Sequence, residues 1–346
     1  MIFIYLMAGG SGSRLWPLSE THPKPLLKLL PNGKTILEET INRIDSLDQQ
    51  TKIILGINSS HKKLFEDFLK RKKIKNIELL VEPCARDTAA AIIYFSYCLA
   101  KGEYGGSVES TVLATPCDQV LDSNDVFSDA VNSLLKLNAE KKLMTIGIKP
   151  HFASTQYGYI KTAKEIMPNV FSVEKFIEKP NQKNAKKYVN DGMYWNSGTF
   201  LFSVEKIIKS TEDFCPDLLE KVKKTFKKSK NKKEPAALFS EIPKISFDYA
   251  IVEREKDICM SKCDTRWRDL GNWKEVVDFF EEKGEIKNLK FEEFVSKNNT
   301  AISEKKVIFL GTEDLIVVDG PNGILVANKN SASELKKYIK KTKSDI

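Results

Sequence analysis

The sequence predicts an α/β fold, with a sheet of first parallel and then mixed strands covered by helices, followed by a small β-rich C-terminal region. The first observation behind this prediction is an alternation of short apolar runs with helical patterns. The runs are Ile2–Met7, Lys52–Ile57, Ile77–Val81, Thr111–Thr115 and Leu143–Ile148, and the helical patterns are Thr35–Leu47, Lys62–Lys72, Thr88–Ala100 and Asp125–Ala139. Such alternation is typical of a doubly wound, Rossmann-like sheet whose ligands bind beyond the carboxyl ends of the strands.

The second observation is a change of pattern after Pro150. Tyr157–Thr162, Val170–Ile177 and Thr199–Phe202 resemble strands with polar connections, and Asn184–Val189 and Val204–Ser210 resemble helices. Strands joined without long helical crossovers indicate antiparallel pairing, so the sheet is expected to continue as a mixed sheet. The lysine-rich stretch before Pro235 is expected to be a surface insertion.

The third observation concerns the C-terminal sixty residues, where short strands are broken by glycine and asparagine. They are Thr300–Ser303, Lys306–Leu310, Asp314–Val318 and Gly323–Ala327, and a helix over Ala332–Lys341 follows. The pattern predicts two domains, 1–284 and 285–346, the second at the lower end of the usual size range.

Composition and length exclude several classes of protein. With 346 residues, 41% hydrophobic and 29% charged, the chain can bury a core without disulfides, and it is not expected to be disordered. Its apolar runs are much shorter than the ~20 residues of a membrane helix, so no membrane association is expected. The first residues lack a basic segment, so no signal peptide is expected. The six cysteines are scattered, which favours reduced thiols in the cytoplasm.

The net charge is concentrated in one segment. Subtracting 47 acidic from 55 basic residues gives +8, and Lys221–Lys233 holds eight lysines and no acid. This segment has no arginine and only Phe226 as an aromatic residue, whereas nucleic-acid surfaces usually combine both kinds of side chain. A solvated helix-and-loop surface is therefore expected, and nucleic acid is not expected as a partner.

The strongest motif is MAGGSGSRLWP at positions 7–17, directly after the first strand. Gly9, Gly10 and Gly12 would let backbone N–H groups converge on a phosphate. The loop lacks the G-K-[ST] of a P-loop and the third glycine of the dinucleotide fingerprint. Arg14 follows at once and Lys24 soon after, a pair suited to a polyphosphate whose charge shifts during reaction. The competing interpretation is a flexible loop with incidental basic residues.

These residues resemble the signature of the nucleotidyltransferases that make nucleotide sugars, and most closely that of the mannose-1-phosphate guanylyltransferases. The resemblance covers nearly the whole chain and implies a GT-A-like catalytic domain with a short left-handed β-helix-type C-terminal domain. It implies that Arg14 and Lys24 are catalytic, stabilising charge on the triphosphate. It assigns the nucleotide to the loop residues Met7, Ala8, Gly9, Gly10, Ser11, Gly12 and Ser13. The lysine lies in P-K-P here, where family members usually have P-K-Q.

Two distant carboxylates could hold a metal ion. Asp118 follows the strand Thr111–Thr115, and Asp269 lies in WRDLGNW before a helix. By themselves these residues could equally be a turn former and a helix N-cap. The resemblance implies instead that both bind Mg2+, which is commonly held by one or two carboxylates together with phosphate oxygens.

The segment EPCARDT at positions 82–88 resembles the family's base-binding motif, and implies that Glu82, Pro83, Asp87 and Thr88 bind the nucleotide. Asp87 stands where asparagine is usual, and its carboxylate could accept from guanine N–H groups. The alternative role for Asp87 is that of a helix N-cap.

Three further motifs resemble the family's sugar-phosphate site, and lie in the family's order. They imply that Gly158, Glu178, Lys179 and Asn196 bind the sugar phosphate. Glu178 would accept from hydroxyls and Lys179 would meet the phosphate. Asp248, in a segment similar to another family motif, is as well explained as a helix cap and is not included.

The reaction implied is transfer of GMP from GTP to α-D-mannose 1-phosphate, with Mg2+ as cofactor and with GTP and mannose 1-phosphate as partners. A phosphate monoester, with a second pKa near ~6, is already mostly dianionic, so no general base is required. The alternatives are a nucleotidyltransferase for another sugar 1-phosphate, such as a heptose, and an inactive sugar-nucleotide-binding regulatory subunit. A homodimer is one expected assembly.

Overall fold

The computed structural model describes residues 1–10, 12–137, 142–230, 235–285 and 290–342. They form two compact units. The first, here called the sheet unit, comprises Met1–Gly9, Asn42–Cys117 and Leu121–Trp267. The second, here called the loop unit, comprises Gly10–Ile41, Asp118–Val120 and Arg268–Ile346. The domain boundary expected between residues 284 and 285 stays a prediction.

Strands and helices alternate along the chain, as the sequence predicts. The strands are β1 (Ile2–Met7), β2 (Thr51–Asn58), β3 (Ile77–Glu82), β4 (Thr111–Pro116), β5 (Gln119–Leu121), β6 (Leu143–Ile148), β7 (Tyr159–Met167), β8 (Val170–Ile177), β9 (Tyr194–Ser203), β10 (Ile258–Cys263) and β11 (Trp267–Asp269). The helices are α1 (Ile36–Asp45), α2 (Lys62–Arg71), α3 (Asp87–Ala100), α4 (Asn124–Leu135), α5 (Gln182–Asn190), α6 (Val204–Phe214), α7 (Pro216–Lys230), α8 (Pro235–Ser240), α9 (Trp273–Glu282) and α10 (Leu335–Thr342).

Within the described ranges, nine strands form one sheet in the order β3-β2-β1-β4-β9-β6-β10-β8-β7. Strands β1 to β4 pair in parallel, and β10 is parallel to β6. Strand β9 is antiparallel to β4 and β6, and β7 and β8 form an antiparallel edge. The predicted α/β class and the predicted mixed sheet are thus confirmed.

Strand β10 was not predicted, although it lies between β6 and β8. Its sequence, ICMSKC, carries Ser261 and Lys262, so it gives no continuous apolar signal. Ser261 is nevertheless buried, and the ammonium of Lys262 lies 3.9 Å from the centre of the Phe171 ring. The sequence pattern does not reveal this arrangement, in which Lys262 lies over an aromatic ring and Ser261 is buried within the strand.

Helix α7 corrects the expectation of a surface insertion. Its residues Leu218, Leu219, Val222 and Phe226 are buried in the main core. The Phe226 ring packs nearly perpendicular to the Tyr97 ring on α3, at a centroid distance of 5.4 Å. The lysines at 223, 224 and 227 lie on the partly or fully exposed side. The helical part of the lysine-rich segment is thus an amphipathic cover of the sheet, and residues 231–233 lie outside the described residues.

The C-terminal strands of the loop unit are β12 (Phe291–Phe294), β13 (Thr300–Ile302), β14 (Val307–Leu310), β15 (Leu315–Gly320) and β16 (Gly323–Asn328). Strands β12 and β14 pair in parallel, as do β13 and β15, whereas β15 and β16 are antiparallel. Phe291 pairs with Val307 and Thr300 with Ile316, an offset of 16 residues in both cases. None of the helices in the described residues is both long and apolar enough to cross a membrane.

Candidate active site

The glycine-rich loop leaves β1 and enters the loop unit at Gly10, where a Cβ would meet no atom of the described residues within 4 Å, apart from its chain neighbours. Gly12 has φ +58°, and a Cβ there would lie 2.8 Å from the Cβ of Lys24. Both the left-handed backbone and the close approach of Lys24 thus require glycine at position 12. The predicted loop residue Ser11 lies outside the described residues. Ser13 and Arg14 form a short 3-10 turn, in which Arg14 is half-buried.

Lys24 is the central residue of the loop unit's polar site. It is only 5% exposed, and its Nζ lies 3.1 Å from Asp118 Oδ2 and donates a second hydrogen bond to Asp269 Oδ1. The structure thus brings the predicted catalytic lysine into contact with both predicted metal-binding aspartates. This arrangement, here called the Lys24 triad, was not predicted. The partners are separated along the chain by 94 and 245 residues, which no local pattern connects.

The charges of the Lys24 triad balance only in part. Burial by itself would lower the pKa of Lys24, but the charges of Asp118 and Asp269 outweigh it, and the pKa is raised. Burial raises the pKa of Asp118, against the opposing effect of Lys24. Glu275 has a raised pKa for the same reason, and the charge of Asp269 adds to it. The site therefore has more negative than positive charge and favours a further cation.

Backbone contacts explain the position of Asp269. It ends β11, and Gly271 N donates to the Asp269 carbonyl at 2.6 Å and to Glu275 Oε2 at 2.8 Å. Asn272 caps helix α9 by accepting from Glu275 N at 3.1 Å. The helix-cap role considered for Asp269 is thus taken by Asn272, which leaves the Asp269 carboxylate for the site.

The donor set fits a magnesium ion that also binds phosphate. Asp118 and Asp269 reach one cation, the Lys24 ammonium, so their oxygens converge. No group of three or more His, Cys, Asp or Glu side chains suited to a metal occurs among the described residues. Two convergent carboxylates without a closed cage are what Mg2+ needs when a substrate supplies the remaining oxygens.

The end of the signature loop is held by the C-terminal part of the loop unit. Trp273 Nε1 donates to the Trp16 carbonyl at 2.7 Å. A Cβ at Gly320 would lie 2.6 Å from the Pro17 ring, and one at Gly323 would lie 3.0 Å from the Trp16 ring. Strands β15 and β16 therefore pack directly on residues 16–17 of the loop.

A buried carboxyl lies beside the start of the loop in the sheet unit. Glu82 is 5% exposed, and Oε2 would be 3.7 Å from a Cβ at Gly9. Tyr5 donates to Glu82 Oε1 at 3.0 Å. Burial raises the pKa of Glu82 to about 7, although the Tyr5 hydrogen bond opposes this. Tyr5 in turn lies over Gly56, where any Cβ would fall 2.3 Å from its hydroxyl.

The other predicted nucleotide-binding residues of the sheet unit have local contacts. The Met7 carbonyl accepts a hydrogen bond from Cys117 N at 3.3 Å, and Ala8 N donates one to the Gly56 carbonyl at 2.9 Å. The Pro83 carbonyl accepts from Ser59 Oγ at 3.0 Å.

The start of α3 combines strain with exposure. Asp87 has φ +68° and an exposed side chain, and its Oδ1 accepts from Thr88 N at 2.8 Å. Thr88 Oγ1 accepts from Phe247 N at 2.9 Å, so this hydroxyl joins two segments of the sheet unit. Backbone strain at a non-glycine residue is often found at binding sites.

The predicted sugar-phosphate residues lie together in the sheet unit. A Cβ at Gly158 would lie 2.5 Å from Glu178 Oε2 and 3.3 Å from the Asn196 Cβ. Lys179 donates to Glu178 Oε1 at 2.8 Å, and the Glu178 side chain is only 6% exposed. Asp248, which sequence reasoning did not include, accepts from Asn196 Nδ2 at 2.8 Å. These five residues are here called the carboxyl–amide cluster.

Aromatic rings surround the strand that carries Asn196. Trp195 is fully buried, and its ring centre lies 4.9 Å from His151, 4.8 Å from Phe152 and 5.1 Å from Tyr157. Tyr157 also contacts Trp267 at 4.7 Å. These contacts fix the residues next to Asn196 and Gly158 in the sequence.

The chain is similar to known proteins over nearly its full length. The family described as nucleotidyl transferase matches residues 5–285. The chain is 31% identical to a mannose-1-phosphate guanylyltransferase of Klebsiella pneumoniae over 353 residues, which cover 98% of this chain and 73% of that protein. It is 32% identical to a mannose-1-phosphate guanylyltransferase of Salmonella muenchen over 345 residues, covering 96% and 72%.

A solved structure from Thermus thermophilus, described as a mannose-1-phosphate geranyltransferase, has a TM-score of 0.79 and 26% sequence identity. The match covers 99% of this chain and 100% of that one. The similarity therefore extends through both the nine-stranded sheet and the C-terminal strands.

Proposed function

Because the chain belongs to the nucleotidyl transferase family, we propose that it transfers GMP from GTP to α-D-mannose 1-phosphate, giving GDP-mannose and pyrophosphate. The proposal is supported by the names of its relatives, at about 30% identity. The observation that carries it is the Lys24 triad, in which a glycine-loop lysine and two aspartates converge. A protein that only bound a sugar nucleotide would not need two carboxylates and a buried lysine together.

The phosphates of GTP would be bound by the glycine loop, Arg14 and Lys24. Gly10 leaves its backbone unobstructed, and the Lys24 ammonium, with its raised pKa, stays charged throughout the working pH range. A Mg2+ ion held by Asp118 and Asp269 would neutralise charge on the phosphates when bound. Lys24 would then donate to phosphate oxygens as negative charge builds on the pyrophosphate.

The attacking group would be the phosphate of the sugar 1-phosphate, in line with the bond from the α-phosphorus to the leaving pyrophosphate. A new P–O bond forms and the bond to pyrophosphate breaks. The phosphate is already mostly dianionic near neutral pH, with a second pKa of about 6, so the chain need not remove a proton. Its contribution is to position the substrates and stabilise charge.

We assign the guanine base to Glu82 and Asp87 and the sugar to the carboxyl–amide cluster. Glu82 and Asp87 carry acceptors for the guanine N–H groups, and the partly protonated state of Glu82 near pH 7 also allows it to donate. Thr88 and Pro83 would hold this segment in place through their hydrogen bonds. The sugar hydroxyls would donate hydrogen bonds to Glu178 and accept them from Asn196.

Three finer assignments stay proposals. We propose that the C-terminal strands form a left-handed β-helix-type domain, supported by the 16-residue offset of their parallel pairs. We propose that the chain forms a homodimer, and that it acts in the cytoplasm, where its scattered cysteines would stay reduced.

The test is pyrophosphate release in the presence of Mg2+, with four nucleoside triphosphates against mannose, glucose and heptose 1-phosphates. Release with GTP and mannose 1-phosphate is expected. Asp118→Asn should abolish it while leaving the thermal unfolding midpoint within a few degrees, because the amide keeps the shape but loses the charge. Near-normal turnover of Asp118→Asn would contradict the metal assignment.

The same screen separates the alternatives. Release with a heptose 1-phosphate, or with another nucleoside triphosphate, would support the proposed nucleotidyl transfer but show that the proposed substrate is wrong. Folded wild-type protein that releases no pyrophosphate with any pair would favour an inactive regulatory subunit.

A further inference from the structure

Asn196 is held in one orientation by two groups of opposite hydrogen-bonding character. Its Oδ1 accepts from Gly198 N at 3.2 Å, and its Nδ2 donates to Asp248 Oδ1 at 2.8 Å. A backbone N–H can only donate, so Asn196 Oδ1 faces Gly198 and Nδ2 faces Asp248; reversing the amide would lose the bond to Gly198 and place Oδ1 against the Asp248 carboxyl. Because Asn196 is 8% exposed, such a loss would not be fully compensated by water.

Within the described residues Asn196 Nδ2 makes one hydrogen bond, to Asp248, so its second N–H can serve a ligand. The amide has two N–H groups, and Asp248 takes one of them. Its oxygen is engaged by Gly198 N and lies 3.1 Å from Thr145 Oγ1. Asn196 therefore offers the second N–H, in a direction that Asp248 determines.

The backbone around Asp248 is built to hold this residue. Asp248 begins a π-helical turn over Asp248–Val252, closed by a bond from Glu253 N to the Asp248 carbonyl at 2.9 Å. The preceding residue, Phe247, is fully buried and contacts the Phe200 ring at 5.1 Å. Isolated π turns are frequent at functional sites. Here the turn also supplies Glu253, whose Oε1 accepts from Glu178 N at 2.9 Å.

The charges of the cluster favour hydroxyl groups over phosphate. Burial raises the pKa of Asp248 to about 7, and the charge of the neighbouring Glu178 adds to this effect. Lys179, the cation of the cluster, is already paired with Glu178. A site with two neighbouring carboxyls and one committed ammonium would bind hydroxyls, which donate to carboxylates, and would repel a dianion.

We propose that Asp248 is a positioning residue for the sugar: it orients Asn196 so that the free N–H of the amide donates to a hydroxyl of the sugar ring. This inference rests on the proposed function and deepens it. It places the ring hydroxyls of the substrate, rather than its phosphate, against the carboxyl–amide cluster. Asp248 acts through Asn196 and takes no part in the bond-making step.

The experiment is a double-mutant cycle of Asp248→Ala and Asn196→Ala, with kcat and KM measured for both substrates. Asp248→Ala is expected to raise the KM for the sugar 1-phosphate about tenfold, the effect of losing a hydrogen bond to a charged group. The KM for GTP should change less than twofold. In the Asn196→Ala background, Asp248→Ala should have no further effect, because the amide that it orients is gone.

Two variants make the readout specific. Asp248→Asn keeps an acceptor oxygen for Asn196 and should stay within about threefold of wild type, rescuing most of the loss. Asp191→Ala removes an exposed aspartate at the end of α5 and serves as the surface control. Thermal unfolding of each variant shows whether a loss of activity reflects a loss of folded protein.

The outcomes separate this inference from the proposed function. If Asp248→Ala lowers kcat/KM equally with and without Asn196, or if Asp248→Asn is as impaired as Asp248→Ala, Asp248 acts independently of Asn196 and the inference is wrong. If the wild-type protein turns over another sugar 1-phosphate instead, the assignment of mannose 1-phosphate is wrong. The inference about Asp248 is then tested by running the same cycle with that substrate. If the folded wild type turns over none, the proposed function fails, and the inference fails with it.

Discussion

Lys24 is a buried ammonium whose only countercharges within hydrogen-bond reach in the described residues, Asp118 and Asp269, are both partly exposed. The structure shows this ammonium paired with both carboxylates at once. Sequence reasoning predicted all three residues individually, from the glycine loop and from the motifs around each aspartate. Their mutual contact could not be predicted, because it depends on the folding of distant segments.

We expect Lys24→Ala to lower kcat by at least about 100-fold, as for the loss of one donor to a developing anion, and to change the KM for sugar phosphate little. Steady-state kinetics with both substrates would check this. Lys28→Ala, an exposed lysine four positions further on, is the matched control and should behave as wild type. If Lys24→Ala changed only the KM for the sugar 1-phosphate, Lys24 would bind that substrate and not the triphosphate.

Glu82 should make stability depend on pH. Its pKa in the folded protein is about 7, above the ordinary value of 4.5, so the folded state binds its proton more tightly than the unfolded state. The stabilisation is complete below pH 4.5 and is lost as the pH rises through 7. The loss is at most about 3 kcal/mol.

Urea unfolding of wild type and Glu82→Gln at several pH values between 4.5 and 8 would measure this. Glutamine stays neutral and can still accept from Tyr5. The free energy of unfolding of the variant should therefore increase relative to that of wild type as the pH rises. A difference between the two proteins that does not change with pH would contradict the raised pKa.

At the scale of elements, two interior strands of the sheet, β2 and β6, each carry a glycine beneath a large side chain. A Cβ at Gly56 on β2 would lie 2.3 Å from the Tyr5 hydroxyl and 2.6 Å from its ring. A Cβ at Gly147 on β6 would lie 2.1 Å from the Met260 sulfur. Tyr5 is rigid and stacked on Phe95, whereas a methionine can change its rotamer.

Gly56→Ala is therefore expected to reduce the free energy of unfolding by about 2–3 kcal/mol, and Gly147→Ala by about 1 kcal/mol. Chemical denaturation of both variants would measure the difference. Equal costs would mean that the two strands adjust equally well, and that the rigidity of Tyr5 is not important.

Helix α7 shows why a charge pattern can hide a core element. Leu219 and Val222 are buried, yet the lysines around them dominate the composition. We expect Leu219→Ala to cost about 2–5 kcal/mol. Lys224→Ala, on the exposed side of the same helix, should stay within about 0.5 kcal/mol. Denaturation that gives similar values for both would contradict the packing of α7.

The elements were otherwise largely predictable, because hydrophobic periodicity marks strands and helices that pack on a core. Strand β1 was predicted with its exact bounds, since six apolar residues in a row are typical of a strand buried on both faces. The pattern does not indicate strand β10, because the polar residues Ser261 and Lys262 interrupt that signal. The segment around Asp248 has the apolar spacing of a packed helix, so the sequence does not indicate a site there, and only the structure shows a π turn.

At the scale of the whole molecule, the loop unit joins the C-terminal strands to the signature loop. Leu15, from the loop, shares one hydrophobic cluster with Val318 and Leu325. The C-terminal strands carry no catalytic motif, but the conformation of the loop depends on their packing. A change there should consequently act on catalysis.

Val318→Asp should abolish activity, because it places an unpaired charge in this cluster at a fully buried position. Ile324→Asp, on the neighbouring strand and 59% exposed, should leave activity and unfolding unchanged. Assays of pyrophosphate release with thermal unfolding would compare the two. An active, stable Val318→Asp variant would show that the loop does not need these strands.

The Lys24 triad draws one member from each of the three segments that make up the loop unit. A ribosome that has just finished Lys24 must add 245 more residues before Asp269 exists, roughly 12–50 s of synthesis at bacterial or eukaryotic rates. Until then the nascent chain lacks one of the two carboxylates, and the residues around Trp273 that hold the loop are also missing. The Lys24 triad therefore cannot form before Asp269 has been synthesised, and a complete triad shows that the chain has been made at least that far.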